Sequence, residues 1–222
     1  MGELPSAVSG VVFDCDGTLL DTESCWFRAE AALFARYGHV YGEPEKGLFV
    51  GLTLEGVCAA MAVRFGLPGA ESRLQAELVP LVEEELGTGV SPMPGAAELV
   101  ESLSGRIPIA VATNSPRTML DDILGSSGLA GYFDATVAAD EVAEAKPAPD
   151  VYLSAFGRIG AAPDRGVAIE DSPTGVAAAR RAGSFVVAVS ATTGGVRLAG
   201  DVTLPTLTDP RLRDWARRVV AV

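Results

Sequence analysis

The sequence predicts an α/β protein: a parallel sheet flanked by helices, with a helical domain inserted after the first strand. Three observations lead there. Short apolar runs rich in β-branched residues alternate with helical patterns, which is how βα units read in sequence. The runs are apolar on both faces, as in a sheet covered on both sides. About ninety residues separate the first run from the next strong one, where crossovers are usually far shorter, so a further unit fills that gap.

In chain order, Val8–Phe13 is the first buried strand. In the insert, Trp26, Glu30, Leu33 and Tyr37 fall near one helical face, although Glu30 is polar. Leu54–Phe65 and Arg73–Leu86 read as two more helices. The stretch "GTGVSPMPG", Gly87–Gly95, returns the chain to the sheet. Helix Gly95–Leu103, strand Ile107–Ala112 and helix Pro116–Ser127 follow, then a weaker strand at Phe133–Val137. Helix Pro149–Ile159, strand Gly166–Ile169, helix Pro173–Ala182 and strand Phe185–Val189 come next, and a weak strand at Asp201–Leu204 ends the pattern. The expected division is a core of residues 1–19 and 88–222 around an insert of residues 20–87.

A chain of 222 residues, 48% hydrophobic, can bury a substantial core. The net charge of −12 argues against nucleic acid or an anionic membrane as partner. A small anionic substrate stays compatible, because a metal or a lysine can reverse the sign inside one cleft. Cys15, Cys25 and Cys58 are odd in number and irregular in spacing, which suits reduced thiols better than a disulfide framework. No apolar run approaches the ~20 residues of a membrane span. The N-terminus lacks the basic start and long apolar core of a signal peptide. The expected form is a cytoplasmic monomer.

In an open parallel sheet, ligands bind outside the carboxyl ends of the strands. The residues there are Asp14-Cys15-Asp16-Gly17-Thr18, Thr113-Asn114-Ser115 and Glu170-Asp171-Ser172. Lys146 lies in the loop "AKPAPDVY". In extended backbone, Asp14 and Asp16 face the same side and Cys15 turns into the core. Two carboxylates side by side repel unless a cation separates them or one holds a proton. Both outcomes suit phosphoryl transfer: one carboxylate attacks phosphorus, the other moves the proton. Gly17 allows a tight turn with amides free to face an anion. Ser115-Pro116 and Ser172-Pro173 each read as N-cap and first residue of a helix. Adjacent Glu170 and Asp171, beside a phosphate, suit Mg²⁺.

The segments "FDCDGTLLDTE", "VATNS", "KPAPDVY" and "AIEDSPTGVAAARRAG" together resemble the haloacid dehalogenase (HAD) superfamily of phosphohydrolases, in the branch of β-phosphoglucomutase and small sugar-phosphate phosphatases. The resemblance implies a Rossmann-like, HAD-like core with a helical cap that closes over the cleft. It implies Asp14 as nucleophile and Asp16 as general acid/base. It also implies Mg²⁺ held by Asp14, the Asp16 carbonyl and Asp171, with Glu170 in or near the metal shell. Thr113 and the Asn114 amide would bind the phosphoryl group of a small phosphorylated substrate, and Lys146 would balance charge. Dehalogenases of the superfamily lack an acid at the place of Asp16, so Asp16 points to phosphate chemistry. The mutase pattern has a cap histidine where this chain has Trp26, and a cap arginine near "FVGLTLEG", where none occurs. Hydrolysis is therefore expected ahead of isomerisation, and a catalytically dead binding protein has no use for the full acidic set. The single histidine, His39, is expected at the surface, Trp26 in the cap core and Glu83-Glu84-Glu85 on a solvated helix face.

Overall fold

The computed structural model describes residues 2–49, 52–190 and 197–222. In chain order the elements are β1 (Ala7–Val8), β2 (Val11–Phe13), α1 (Glu23–Arg36), α2 (Glu43–Phe49), α3 (Leu54–Phe65), α4 (Glu71–Leu86), α5 (Ala96–Leu103), β3 (Ile109–Ala112) and α6 (Arg117–Ser126). They continue with β4 (Ala135–Val137), α7 (Asp150–Arg158), β5 (Val167–Glu170), α8 (Pro173–Arg181), β6 (Phe185–Val189), β7 (Val202–Leu204), α9 (Pro210–Arg218) and β8 (Val220–Ala221).

Among the described residues, six strands pair in parallel in the order β4-β3-β2-β5-β6-β7. β2 lies between β3 and β5, where the strand order reverses. That reversal opens a crevice at the carboxyl ends of the three strands, the usual ligand site of such sheets. Val11, Val12 and Phe13 face Ile109, Ala110 and Val111 on one side and Val167, Ala168 and Ile169 on the other. All nine are buried, so the position of the crevice is fixed by the core itself.

The expected first strand is two strands. The chain bends at Ser9-Gly10; the Ser9 N–H goes to the Arg165 carbonyl, and β1 pairs with β8 at the far end of the sequence. Gly10 passes so close to Ala161 and Ile159 that a Cβ there would stand 2.8 Å from each. β3 starts at Ile109 rather than Ile107, because Pro108 has no N–H to give a ladder. β8, α2 and α9 were not anticipated. The α2 sequence "EPEKGLF" contains Pro and Gly, poor helix formers, and α9 is rich in arginine with only Leu212, Trp215 and Ala216 buried.

The inserted helices have their own packing. α1 and α3 both pack on α4, and α2 packs on α3. Leu33 and Phe34 of α1 belong to one apolar cluster with Leu74, Leu78 and Val82 of α4. Two strand-like linkers join the helices to the sheet. Leu20 bridges Pro92, the Asp21 N–H donates to the Ser91 carbonyl at 3.0 Å, and the Met93 N–H to the Leu19 carbonyl at 2.8 Å.

Candidate active site

Asp14, Asp16, Thr113, Asn114, Lys146 and Asp171 all line one cleft of about 140 Å³, with α1 and α2 forming its opposite wall. Glu170 stands behind them, fully buried. The residues predicted from three strand ends and one loop therefore converge. Cys15, between the two aspartates, is buried in the core as alternation requires.

Asp14 meets Lys146 first. Lys146 Nζ donates to Asp14 Oδ1 at 2.5 Å and to Glu170 Oε1 at 2.6 Å. The loop lysine is thus a buried cation bridging two strand ends. Burial opposes its charge, but the carboxylates of Asp14 and Glu170 outweigh this and raise its pKa. Burial raises the Asp14 carboxyl well above the usual range and Glu170 adds to the rise, while Lys146 opposes it. Glu170 also accepts from the Tyr152 hydroxyl at 2.9 Å, from the Asp171 and Ser172 N–H groups, and from the Ser172 hydroxyl. Both of its oxygens are engaged by donors, so its evident work is to hold Lys146. Tyr152 lies within "KPAPDVY" and also puts its ring 5.0 Å from Lys146 Nζ. Periodicity marks Tyr152 as an apolar helix position, which hides its hydroxyl's role.

Asp171 explains the Gly-Thr that follows Asp16. Thr18 Oγ1 donates to Asp171 Oδ1 at 3.0 Å. Gly17 has φ of 78°, and a Cβ there would overlap Asp171 Oδ2. Only glycine serves both the backbone and the carboxylate. The Gly17 N–H is not free for an anion: it donates to the Leu20 carbonyl. Asp14, Glu170 and Asp171 offer oxygens within 4.8 Å of one another and could hold a metal ion. When all three are ionised, Lys146 leaves an excess of two negative charges in a buried site. An all-oxygen set with that excess fits a hard divalent cation.

Asp16 is held on the cleft side by three hydroxyls. Thr22 Oγ1 donates to Oδ1 at 2.8 Å; Thr113 Oγ1 and Ser115 Oγ donate to Oδ2 at 2.8 and 2.9 Å. Ser115 is therefore no N-cap. α6 begins one residue later, and Asp140 accepts from the Arg117 N–H instead. Ser172 caps α8 as expected, accepting from the Gly175 N–H. The Asn114 side chain ties two loops together. Its amide donates to the Lys146 carbonyl at 3.2 Å and accepts the Lys146 N–H at 2.9 Å.

The opposite wall carries Glu23, Trp26, Phe27 and Glu30 at helical spacing along α1, with Tyr41, Lys46 and Phe49 beside them. Trp26 is half-buried: it packs against the apolar cluster and also lines the cleft. Lys46 is a cation that sequence reading missed, because α2 was not recognised; its ammonium lies 3.0 Å from Glu23 Oε2. Glu30 is buried and accepts from the Tyr41 hydroxyl. Burial pushes its carboxyl up to about 7, against the Tyr41 hydrogen bond and the Lys46 charge. His39 is half-buried, stacked on Phe65 at 5.0 Å. Val50 and Gly51 of "FVGLTLEG" lie outside the described residues.

Residues 11–189 match the model of the haloacid dehalogenase-like hydrolase family. The chain belongs to that family. It is 35% identical to a fructose-1-phosphate phosphatase of Escherichia coli over 82% of this chain and 96% of that protein. It is 33% identical to a phosphorylated carbohydrates phosphatase of Thermotoga maritima over 79% of this chain and 82% of the relative. Among solved structures, CbbY from Rhodobacter sphaeroides in complex with phosphate aligns with a TM-score of 0.79 at 27% identity, covering 91% of this chain and 96% of that one.

Proposed function

We propose that this chain, a phosphatase of the haloacid dehalogenase-like hydrolase family, hydrolyses a small phosphorylated metabolite, of the sugar-phosphate kind, through an aspartyl-phosphate on Asp14. The observation that carries this is the division of labour between the two acids: Asp14 is buried against Lys146, and Asp16 is oriented by three hydroxyls on the same cleft. A carboxylate oxygen of Asp14 attacks phosphorus and the bond from phosphorus to the leaving oxygen breaks. Asp16 gives its proton to that oxygen. Asp16 then takes a proton from water as the water attacks phosphorus; the bond to Asp14 breaks, and inorganic phosphate leaves.

Mg²⁺ fits the acidic set. Asp14 and Asp171 would hold it, with the Asp16 carbonyl, and Glu170 would stay behind as the partner of Lys146. When bound, the ion neutralises charge on the phosphoryl oxygens. Residues 20–87 act as a cap, excluding bulk water and meeting the leaving group. Trp26 in place of a cationic side chain, and a Lys46 already paired with Glu23, favour hydrolysis over transfer between two sites of one sugar. Asp14→Asn is expected to abolish phosphate release from sugar phosphates with the fold intact by circular dichroism. Near-normal turnover in that variant would sink the covalent route.

A further inference from the structure

The cap wall carries a charge arrangement that the chemistry at phosphorus does not use. Glu23 and Lys46 neutralise each other at 3.0 Å. Glu30 is left as a carboxylate 5% exposed, lining the cleft, with the Tyr41 hydroxyl as its hydrogen-bond donor among the described residues. Trp26, Phe27, Tyr41 and Phe49 line the same cleft.

A buried carboxylate with a single neutral donor is poorly compensated, and it is stabilised by a cation that enters the site. An aromatic ring attracts the same kind of ligand where the cation meets its face, and four rings line this cleft. An anionic group, such as a second phosphate, would meet Glu30 and a lysine already balanced by Glu23. A neutral hydroxyl would gain a hydrogen bond, but Glu30 would then take up a proton; only a cation holds it as the anion and gains the ionic contact. Resting on the phosphatase reading above, we infer that the cap selects a leaving group bearing a protonated amine, with Glu30 as the residue that recognises it. The preferred substrates are amino-alcohol or amino-sugar phosphate monoesters. The rise of the Glu30 carboxyl fits this, because a bound ammonium returns it to the anion.

The test compares esters that differ by one group. Three matched pairs serve: glucosamine 6-phosphate with glucose 6-phosphate, phosphoethanolamine with 2-hydroxyethyl phosphate, and 3-aminopropyl phosphate with 3-hydroxypropyl phosphate. N-acetylglucosamine 6-phosphate keeps the nitrogen and removes its charge. The purified full chain is assayed with Mg²⁺ for kcat/KM on each, with p-nitrophenyl phosphate as the common reference. At least one amine is expected to exceed its hydroxyl partner by about tenfold, a preference of the size one ionic contact gives. N-acetylation should remove the preference. In Glu30→Gln the ratio within each pair should fall toward one; because it is a ratio, a general loss of turnover cancels. If p-nitrophenyl phosphate is hydrolysed but no pair favours the amine, or the N-acetyl ester matches glucosamine 6-phosphate, the amine inference fails and the phosphatase reading stands. If Glu30→Gln keeps the full preference, Glu30 is not the recognising residue and the inference fails likewise. If none of the esters, the reference included, releases phosphate, the phosphatase reading itself falls. The wild-type comparison decides even if the variant does not fold.

Discussion

Lys146 shows how much one residue's surroundings can alter its meaning. In sequence it is a loop lysine, and loop lysines are usually solvated. In the structure its side chain is 3% exposed and answers two carboxylates. Removing one partner from such a set strands the others as buried charges, which costs about 3–5 kcal/mol. Lys146→Met is therefore expected to lower stability by that order in urea titration, whatever its effect on turnover. A loss under about 1 kcal/mol would show that Asp14 and Glu170 are compensated in another way. Asp16 gives a prediction of the opposite kind, on rate alone. An asparagine can turn its amide oxygen to Thr113 and Ser115 and its NH2 to Thr22 Oγ1, a hydroxyl that can accept as well as donate, so Asp16→Asn should fold normally. Turnover should fall about 10²–10⁴-fold, the usual worth of a general acid/base. With p-nitrophenyl phosphate, whose leaving group needs no proton, the variant should release a burst of p-nitrophenol and then stall as the phosphoenzyme. A uniform slow rate without a burst would separate Asp16 from the second step. The acids themselves were legible in the sequence because they end buried runs. The hydroxyls of Ser115 and Tyr152 were not, since Ser115 has a sufficient local explanation as a cap and Tyr152 as a helix face, and the link from Thr22 to Asp16 is made only by the fold.

The two Ser-Pro pairs make the same point for elements. Local pattern gives both as helix starts, and Ser172-Pro173 is one: Ser172 caps α8 and reaches Glu170 with the same hydroxyl. Ser115 turns to Asp16 instead, which only the tertiary arrangement reveals. α8 approaches the end of β5 so closely that a Cβ on Gly175 would overlap the Glu170 carboxylate. Gly175→Ala should raise intrinsic helix propensity yet destabilise the protein by about 1–3 kcal/mol through overpacking. Its activity should fall with it as Glu170 and Lys146 shift. A stabilised variant would mean the contact relaxes freely. α6 and α7 are joined through Glu141, which accepts from the Ala138 N–H and pairs with Arg117 and Arg158. Burial opposes the Glu141 charge, but these donors prevail and hold its carboxyl down at about 2, against 4.5 for the free side chain. A carboxyl lowered on folding stabilises above its unfolded pKa, and that contribution is lost as pH falls from 4.5 through about 2. The group is partly exposed, so screening reduces its worth to about 1 kcal/mol. Glu141→Gln should cost about that near neutrality, and the gap to wild type should close as the pH is lowered through this window. A constant gap down to the acid limit would assign the cost to lost packing.

At the scale of the whole molecule, the alternation of apolar and helical segments points to a parallel sheet, and one outsized crossover points to helices after the first strand; the strand order comes only from the ladders themselves. The part of the facing wall built by α2 does not follow from the sequence, because that helix is seven residues long, too short to carry a period, and Pro44 and Gly47 interrupt it. What the whole fold does is bring two strand ends and a loop together around an uncompensated negative charge, and that has a thermodynamic consequence separate from catalysis. The three carboxylates of Asp14, Glu170 and Asp171 repel in the native state and disperse on unfolding. A divalent ion that binds the native site alone stabilises the protein by about 2.7 kcal/mol at a hundred times its Kd. For a chain of this size that corresponds to roughly 5–10 °C in Tm. Mg²⁺ added to EDTA-treated protein should therefore raise Tm in proportion to the logarithm of its concentration, without any substrate present. Asp171→Asn removes one charge while its remaining carbonyl oxygen can still accept from Thr18, so its metal-free Tm should equal or exceed that of the metal-free wild type. The same variant should lose most of the Mg²⁺-dependent rise. A wild type whose Tm ignores Mg²⁺ would overturn the metal site. A variant that keeps the full rise would move the ion away from Asp171 while leaving a metal in the cleft. Scanning calorimetry of the two proteins, each with EDTA and with Mg²⁺, separates these outcomes in four traces.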